Sequence, residues 1–182
     1  SEKVALIANG ADGVGRAAAM QLALLGCYVI VGCSDLSENE RNAMNELKSL
    51  GTLAHFIEET EPSELVNAAA AIFGRIDFLV NCVKDQTDSS FQIETLTKSA
   101  ANLLNERPRP AIVNVVNSAK SVQFVDDIPS RIRQNCVVSD STPQSMEGGL
   151  FTNNSFDSTA RVVLFFLSGD AKSLNRQTLQ VG

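Results

Sequence analysis

The residues best suited to chemistry form a glycine-rich turn near the start of the chain, which runs Ala8-Asn9-Gly10-Ala11-Asp12-Gly13-Val14-Gly15. A turn of this kind between a strand and a helix places backbone N–H groups and a helix N-terminus beside a bound pyrophosphate. Its glycines allow the backbone to approach the ligand closely. The turn therefore predicts a phosphate-containing ligand. Close packing of the helix on the strand would equally explain Gly10, Gly13 and Gly15.

The elements that must position this turn alternate between strand and helix along most of the chain. Apolar runs bounded by turn residues predict strands at residues 3–8, 27–33, 52–57, 78–82, 111–116, 132–138 and 178–181. Helical spacing and capping residues predict helices at residues 14–25, 37–50, 64–73, around 96–104 and at 160–167, with a polar loop over 139–156. Repeated strand–helix–strand units imply a single α/β domain, residues 1–182, with a parallel sheet covered by helices on both faces.

The composition limits the classes of partner. The 182 residues are 44% hydrophobic and 20% charged, which is typical of a globular domain. The formal net charge of −6 would repel phosphate backbones, so we expect no nucleic-acid partner. The apolar runs are too short to span a bilayer, and the chain begins almost directly in a predicted strand, without room for a signal peptide. We therefore expect no membrane association.

The cysteines and the histidine indicate packing rather than metal binding. Cys27, Cys33, Cys82 and Cys136 lie in apolar stretches without the spacing of metal ligands. Buried, reduced thiols suit a cytoplasmic protein, and we expect no metal site. His55 is the only histidine and lies in a predicted strand, so we expect a packed imidazole.

The sequence around the turn resembles the short-chain dehydrogenase/reductase family. Lys3-Val4-Ala5-Leu6-Ile7 precedes the turn and Gly15-Arg16-Ala17-Ala18 continues it. The resemblance extends through Gly74-Arg75-Ile76-Asp77-Phe78-Leu79-Val80-Asn81, Ile112-Val113-Asn114, Ile132-Arg133-Gln134-Asn135-Cys136-Val137 and the stretch from Phe166 to Leu179. It implies a Rossmann-like doubly wound parallel sheet of about seven strands. It also implies NAD or NADP as cofactor and oxidoreductase chemistry on a carbonyl or an alcohol.

The same resemblance assigns the cofactor-binding positions, which are Asn9, Gly10, Asp12, Gly13, Val14, Gly15, Cys33, Ser34, Asn81 and Lys84. The family's Thr-Gly at the start of the turn is Ala8-Asn9 here, and asparagine tolerates the left-handed backbone that the turn needs. Asp12 would repel a nearby phosphate. The simpler interpretation of Asn81 is that it satisfies backbone groups at a strand end.

Two further positions depart from the pattern of NAD-dependent members. Cys33 and Ser34 stand where such members place an aspartate against the ribose, and Asp35 would substitute only if the strand end shifted. Lys84 replaces a glycine along which the cofactor normally passes. These changes predict that NAD or NADP binding is weak or lost.

The catalytic positions of the family depart further. The family's proton donor is a tyrosine, and the chain has one tyrosine, Tyr28, in the second predicted strand. The family's serine falls on Asn117, with Ser118 displaced by one position. The stretch 118–130 that joins strands five and six is too short for a long covering helix, so we predict that this helix is reduced or missing.

Three functions remain open at this point. The first is a non-catalytic binding or assembly protein. The second is an NAD(P)-dependent short-chain oxidoreductase in which Lys84, Lys120 or a water donates the proton, or in which internal segments are absent from this sequence. The third is a dinucleotide sensor that uses Gly13 and Gly15. Lys84 and Lys120 are otherwise surface charges, and Ser118 is otherwise an ordinary turn residue.

The helix between strands four and five is also shortened at its front, and the two shortened helices together predict a protein partner. In the family, these helices pack against a second subunit. Their loss should leave one face of the sheet thinly covered, and an exposed apolar face usually marks an interaction site. We therefore expect a homo-oligomer or another protein partner over this face.

Overall fold

The computed structural model describes residues 2–59, 61–83, 89–139 and 155–182. Within these ranges the chain forms one seven-stranded sheet in the order β3-β2-β1-β4-β5-β6-β7, with all neighbouring strands parallel. The strands are β1 (Val4–Ala8), β2 (Tyr28–Cys33), β3 (Ala54–Glu58), β4 (Phe78–Cys82), β5 (Ala111–Val116), β6 (Arg133–Ser139) and β7 (Thr178–Val181). The predicted parallel α/β architecture is confirmed.

Helices cover both faces of the sheet. They are α1 (Gly13–Leu24), α2 (Glu38–Ser49), α3 (Pro62–Phe73), α4 (Ser89–Asn105) and α5 (Ser155–Leu167). Alternate residues of β1 enter different cores: Ala5 and Ile7 pack in the core formed with α1 and α5, whereas Val4 and Leu6 pack in the core formed with α3 and α4. This two-sided burial explains why the central strands are continuous apolar runs rather than alternating ones.

Local sequence signals define the helix ends. The Glu61 side chain accepts a hydrogen bond from the Glu64 backbone N–H at 2.8 Å, Pro62 opens α3, and Gly74 ends it at φ 66°. The predicted cap of α2 differs in detail. Ser37 is the N-cap residue, but its hydroxyl donates to the Glu40 carboxylate instead of accepting from the backbone.

Both predicted ends of one loop are wrong. The polar stretch 139–156 was expected to be a loop throughout, whereas β6 extends to Ser139 and α5 begins at Ser155. Phe156 therefore lies in the first turn of α5, where it extends the face that carries Ala160 and Val163 into the core. The remainder of that stretch, residues 140–154, lies outside the described residues, as does Lys84.

The connection between β5 and β6 contains only a short 3₁₀ helix, Ala119–Ser121, so the predicted reduction of the covering helix is confirmed. The extended chain that follows packs on the sheet in place of a helix. Its apolar residues Val122, Phe124, Val125 and Ile128 contact a cluster that includes Cys136 and Val138 of β6.

This extended chain covers β5 and β6. Val116, Cys136 and Val138 expose 2%, 0% and 1% of their surface. The expectation of an exposed apolar face is therefore wrong for these two strands, because the extended chain supplies enough apolar side chains to bury them. The expected protein partner stays a prediction.

Candidate functional site

The glycine turn joins the carboxyl end of β1 to the first residue of α1. Asn9 has φ 54° and Gly13 has φ 50°, so the left-handed backbone expected at Asn9 is present. The Gly10 N–H donates to the Gly32 carbonyl of β2 at 3.2 Å. The turn follows β1 in the chain, and this hydrogen bond also attaches it to β2.

Two of the glycines are required by packing. A Cβ atom on Gly10 would lie 2.6 Å from Cγ2 of Ile7. A Cβ atom on Gly15 would lie 2.7 Å from Cα of Gly10 and 2.8 Å from the carbonyl oxygen of Asn9. The close-packing explanation therefore holds at both positions. The same closeness brings the turn backbone beside the first turn of α1, which is the arrangement that a pyrophosphate needs.

Gly13 has a different reason to be glycine. A Cβ atom there would meet only the tip of the Phe156 ring, at 3.7 Å, which is ordinary van der Waals contact. Its positive φ is what favours glycine. Since Phe156 belongs to α5, the first turns of α1 and α5 lie side by side at this edge of the sheet.

The first turn of α1 offers backbone N–H groups to an anion. The N-cap residue, Asp12, makes no side-chain hydrogen bond to the helix backbone, and the first hydrogen bond of the helix runs from the Arg16 N–H to the Asp12 carbonyl at 3.0 Å. The N–H groups of Gly13, Val14 and Gly15 precede that bond and have no partner within the helix. The helix dipole adds partial positive charge at this end.

The turn also lies at the switch point of the sheet, where the strand order reverses between β1 and β4. β1 pairs with β2 on one side and with β4 on the other, and the connections from these strands lead to opposite faces. Ligands of open parallel sheets bind in the crevice outside the carboxyl ends of the strands at such a point. The position of the turn in the sheet and the shape of its backbone therefore both indicate a ligand-binding site.

The candidate ribose positions lie at the carboxyl end of β2. Cys33 is buried as the last residue of that strand, with its thiol 3.6 Å from the Ile57 carbonyl, and Ser34 is exposed just beyond it. The strand ends at Cys33, as predicted, so the register does not shift toward Asp35. The Asp35 carboxylate instead accepts a hydrogen bond from the Ser37 N–H at 3.0 Å.

Asn81 lies in β4 beneath the surface of the crevice. It is fully buried, and its Oδ1 accepts a hydrogen bond at 2.8 Å from Nε2 of Gln92 on α4. It is in register with Ala8 of β1 and with Asn114 of β5. Asn81 thus links the sheet to α4, and its cofactor-binding role stays a prediction. The sequence gives no signal for Gln92, because one glutamine near the start of an amphipathic helix has no distinguishing pattern.

Asn117 and Ser118 lie at the carboxyl end of β5, on the same edge of the sheet as the glycine turn. Asn117 is exposed, and the Ser118 hydroxyl accepts a hydrogen bond from the Lys120 N–H at 3.2 Å. This contact makes Ser118 the N-cap of the short 3₁₀ helix. The Lys120 side chain is exposed.

Tyr28 lies at the opposite end of the sheet. It is in register with Val4, the first residue of β1, whereas the glycine turn follows Ala8. Four residues of strand separate these levels by about 13 Å. The ring stacks on Phe73 at 5.2 Å, and a hydrogen bond with the Glu2 side chain raises the pKa of the phenol. Tyr28 therefore cannot reach a ligand bound at the turn.

The structure also addresses the sequence predictions about the cysteines, the histidine, membrane spans and metal sites. All four cysteines are buried and none forms a disulfide, and desolvation raises the pKa of the Cys136 thiol to about 12. The His55 ring contacts Phe73 edge-on at 5.5 Å, but the residue is exposed, so the imidazole is not packed in the interior as predicted. Throughout the part of the chain that the structure describes, no helix is long and apolar enough to cross a membrane. Nor do any three metal-ligating side chains in that part converge on a common point.

Curated relatives match part of the chain. 3-Hydroxyacyl-CoA dehydrogenase type-2 of Drosophila melanogaster is 30% identical over 126 residues, which are 66% of this chain and 47% of that protein. The short-chain dehydrogenase/reductase FrzI of Cladobotryum sp is 31% identical over 85 residues, 44% of this chain and 33% of its own. The chain thus spans a third to a half of the length of these relatives.

Solved structures resemble the whole fold. A 7α-hydroxysteroid dehydrogenase in complex with NADH and 7-oxo glycochenodeoxycholic acid superposes with a TM-score of 0.81 at 17% identity, over 98% of this chain and 92% of that one. Acetoin dehydrogenase from Enterobacter cloacae gives 0.79 at 19% identity, over 100% and 95%.

The family model described as short chain dehydrogenase matches residues 3–103, which span β1 to α4 and include the glycine turn. This match covers more than half of the chain, and the sheet order and helix placement agree with the structural neighbours. The chain therefore belongs to the short-chain dehydrogenase family.

Proposed function

We propose that this chain binds a nicotinamide adenine dinucleotide at the glycine turn and does not use it for tyrosine-dependent reduction of a carbonyl. The observation that carries the proposal is the cradle formed by Gly10, Gly15 and the first turn of α1. A Cβ atom on either glycine would collide with neighbouring atoms at 2.6–2.7 Å, so only glycine lets the turn pack this closely on β1 and on the first turn of α1.

The backbone N–H groups of Gly13, Val14 and Gly15 would hold the pyrophosphate. They combine donors that are not used within the helix with the positive end of the helix dipole, which together favour an anion. A bound dinucleotide would supply a hydride-transferring nicotinamide ring. NADH-bound 7α-hydroxysteroid dehydrogenase, which shares the fold, supports this class of ligand.

NAD fits the end of β2 better than NADP. The residues directly after that strand are Ser34, Asp35 and Leu36, which bring a carboxylate and no cation. A 2′-phosphate would gain no ion pair from these residues, and the Asp35 carboxylate, although it lies two residues beyond the strand end, would add like-charge repulsion. We therefore expect tighter binding of NADH than of NADPH.

The non-catalytic part of the proposal rests on the position of the tyrosine and on the short connection after β5. A positioned general acid contributes typically 10²- to 10⁴-fold to a rate, and Tyr28 lies at the far end of its strand. A binding or assembly role, in a homo-oligomer or with another protein, fits a chain that keeps its core while shortening this connection.

One arrangement favours a second candidate, an NAD(P)-dependent oxidoreductase. Ser118 and Lys120 share the short turn at the carboxyl end of β5, and this edge is also where the dinucleotide would lie. The ammonium group of Lys120 could donate a proton to a reduced carbonyl oxygen there. The partial coverage of the curated relatives leaves room for segments that complete an active site.

Calorimetric titration of the purified chain with NADH and NADPH, alongside NADH oxidation with a panel of ketones and aldehydes, tests the proposal. We expect micromolar binding of NADH, weaker binding of NADPH and no turnover. The absence of binding to either dinucleotide would favour the assembly role instead. Measurable carbonyl reduction would refute the non-catalytic part, and its loss in Lys120→Ala, with NADH binding unchanged, would identify the proton donor.

A further inference from the structure

We infer that Asn9 is a positioning residue that fixes the phosphate-binding turn onto the carboxyl end of β4 and thereby raises the affinity for the dinucleotide. The ligand in this inference rests on the proposed function, whereas the contacts of Asn9 are observed independently of any ligand. Asn9 does not itself need to touch the ligand. It acts through the backbone of the turn.

The first observation is the backbone of Asn9. Its φ of 54° lies in the left-handed region, where a side chain is usually unfavourable and glycine is preferred. Asparagine is one of the few residues that enter this region readily. The turn therefore keeps its shape at Asn9 while gaining a side chain that a glycine would not provide.

The second observation is what that side chain does. Nδ2 of Asn9 donates to the Cys82 carbonyl at 2.9 Å, across 73 residues of sequence. Cys82 is the last residue of β4. The same carbonyl lies 3.5 Å from Nε2 of Gln92, whose main bond is to Asn81. The turn is thus tied to β4 and, through Gln92, to the first turns of α4.

The third observation connects Asn9 to the phosphate-binding donors. The Asn9 carbonyl oxygen would lie 2.8 Å from a Cβ atom on Gly15, so it packs directly against the first turn of α1. On its other side, the Gly10 N–H donates to Gly32. Rotation of the Asn9 peptide would therefore displace the N–H groups of α1 relative to β2 and β4.

Two substitutions separate the side-chain bond from the backbone conformation. Asn9→Gly keeps the left-handed conformation but removes the amide donor. Asn9→Asp keeps the size and much of the conformational preference, but a carboxylate cannot donate to the Cys82 carbonyl. Asn39→Asp, on the exposed surface of α2, is the control for the added negative charge.

Calorimetric titration with NADH measures the effect on binding. We expect Asn9→Gly to weaken binding about fivefold, equivalent to about 1 kcal/mol at 1.4 kcal/mol per tenfold. Asn9→Asp should weaken it at least tenfold, because its charge also repels the pyrophosphate, whereas Asn39→Asp should bind like the wild type. Wild-type affinity in both Asn9 variants would overturn the inference.

Amide hydrogen exchange of the ligand-free proteins gives a readout that does not need a dinucleotide. We expect the Gly10 amide to exchange about fivefold faster in Asn9→Gly, with the Gly74 amide, which donates to Ala70, as an unchanged reference. Unchanged exchange at Gly10 would overturn the positioning role even if affinity fell. Faster exchange in a protein whose wild type binds no dinucleotide would support the positioning role and refute the proposed function.

Discussion

Two connections at the same edge of the sheet show opposite degrees of constraint. The β1–α1 turn is short and sterically fixed, with would-be Cβ contacts below 3 Å at Gly10 and Gly15. The β5–β6 connection has only a 3₁₀ helix of three residues and an extended segment. Both connections bury the sheet beneath them. Both connections thus pack on the sheet. Of the two, the first has the glycine turn before a helix N-terminus, the backbone shape that a phosphate ligand would require.

The second connection is held by long-range side-chain contacts instead of a helix. The Gln134 side chain is buried and forms a pair of hydrogen bonds with the Val125 backbone: Oε1 accepts from the N–H at 2.9 Å and Nε2 donates to the carbonyl at 2.8 Å. An amide side chain thereby replaces the neighbouring peptide that a strand would supply. This explains how an extended segment stays packed without secondary structure of its own.

The largest effect should come from filling the first connection. In Gly15→Ala the added methyl group would collide with Cα of Gly10 and the carbonyl oxygen of Asn9. Because both are backbone atoms, they cannot move aside as a flexible side chain could. We expect a loss of about 3 kcal/mol in the free energy of unfolding and no measurable NADH binding. Urea unfolding followed by circular dichroism, together with calorimetry, provides both values.

The control for this prediction is Gly51→Ala. Unlike Gly15, Gly51 has a positive φ, 73°, but among the described residues a Cβ atom there meets nothing within 4 Å. We expect it to cost about 1 kcal/mol through backbone strain alone, without effect on NADH binding. Equal losses of stability in the two variants would show that the first connection is no more tightly packed than an ordinary surface turn.

The fold was predictable from the sequence because its signals are local. The β4 and β5 bounds match the predicted ranges, and the missing helix after β5 follows from the number of residues available. The conformation of Asn9 was also predictable, since few other non-glycine residues tolerate it. In each case the structure is determined by residue types and chain length within one short segment.

The contacts of the site were not predictable, because their partners are far apart in sequence. Asn9 reaches Cys82, Gln92 reaches Asn81, and Gln134 reaches Val125 only after the sheet has formed. A single amide residue in an apolar strand or an amphipathic helix gives no periodic pattern that names its partner. The burial of β5 and β6 was missed for the same reason.

A smaller effect should follow from releasing the second connection. Gln134→Ala would leave the buried N–H of Val125 without its partner and its carbonyl with only the 3.4 Å hydrogen bond from Nη2 of Arg176. We expect a loss of about 2 kcal/mol in the free energy of unfolding, with NADH affinity unchanged because the glycine turn is not involved. Urea unfolding and calorimetry again provide the measurements.

Gln123→Ala is the matched control for that substitution. Gln123 lies in the same connection and makes a single exposed hydrogen bond, from Nε2 to the Ser90 carbonyl at 2.8 Å. Its removal should change stability by less than about 0.5 kcal/mol. A loss in Gln134→Ala no greater than in this control would mean that apolar contacts alone hold the segment. Weakened NADH binding would mean that the two connections are coupled.

The smallest effect concerns the helix cap of α3, which lies apart from both connections. Hydrogen bonds from the Ser63 side chain and the Glu64 N–H lower the pKa of the exposed Glu61 carboxyl from 4.5. A lowered folded-state pKa favours folding when the group is ionised, so its contribution is present above pH 4.5 and is lost as pH falls through the folded-state value. Glu61→Gln should therefore be slightly less stable than the wild type at pH 7, and this difference should shrink in urea titrations repeated at pH 3.5. A difference that persists undiminished at pH 3.5 would show that the charge of Glu61 does not contribute to the cap, and that α3 depends on packing as the β5–β6 connection does.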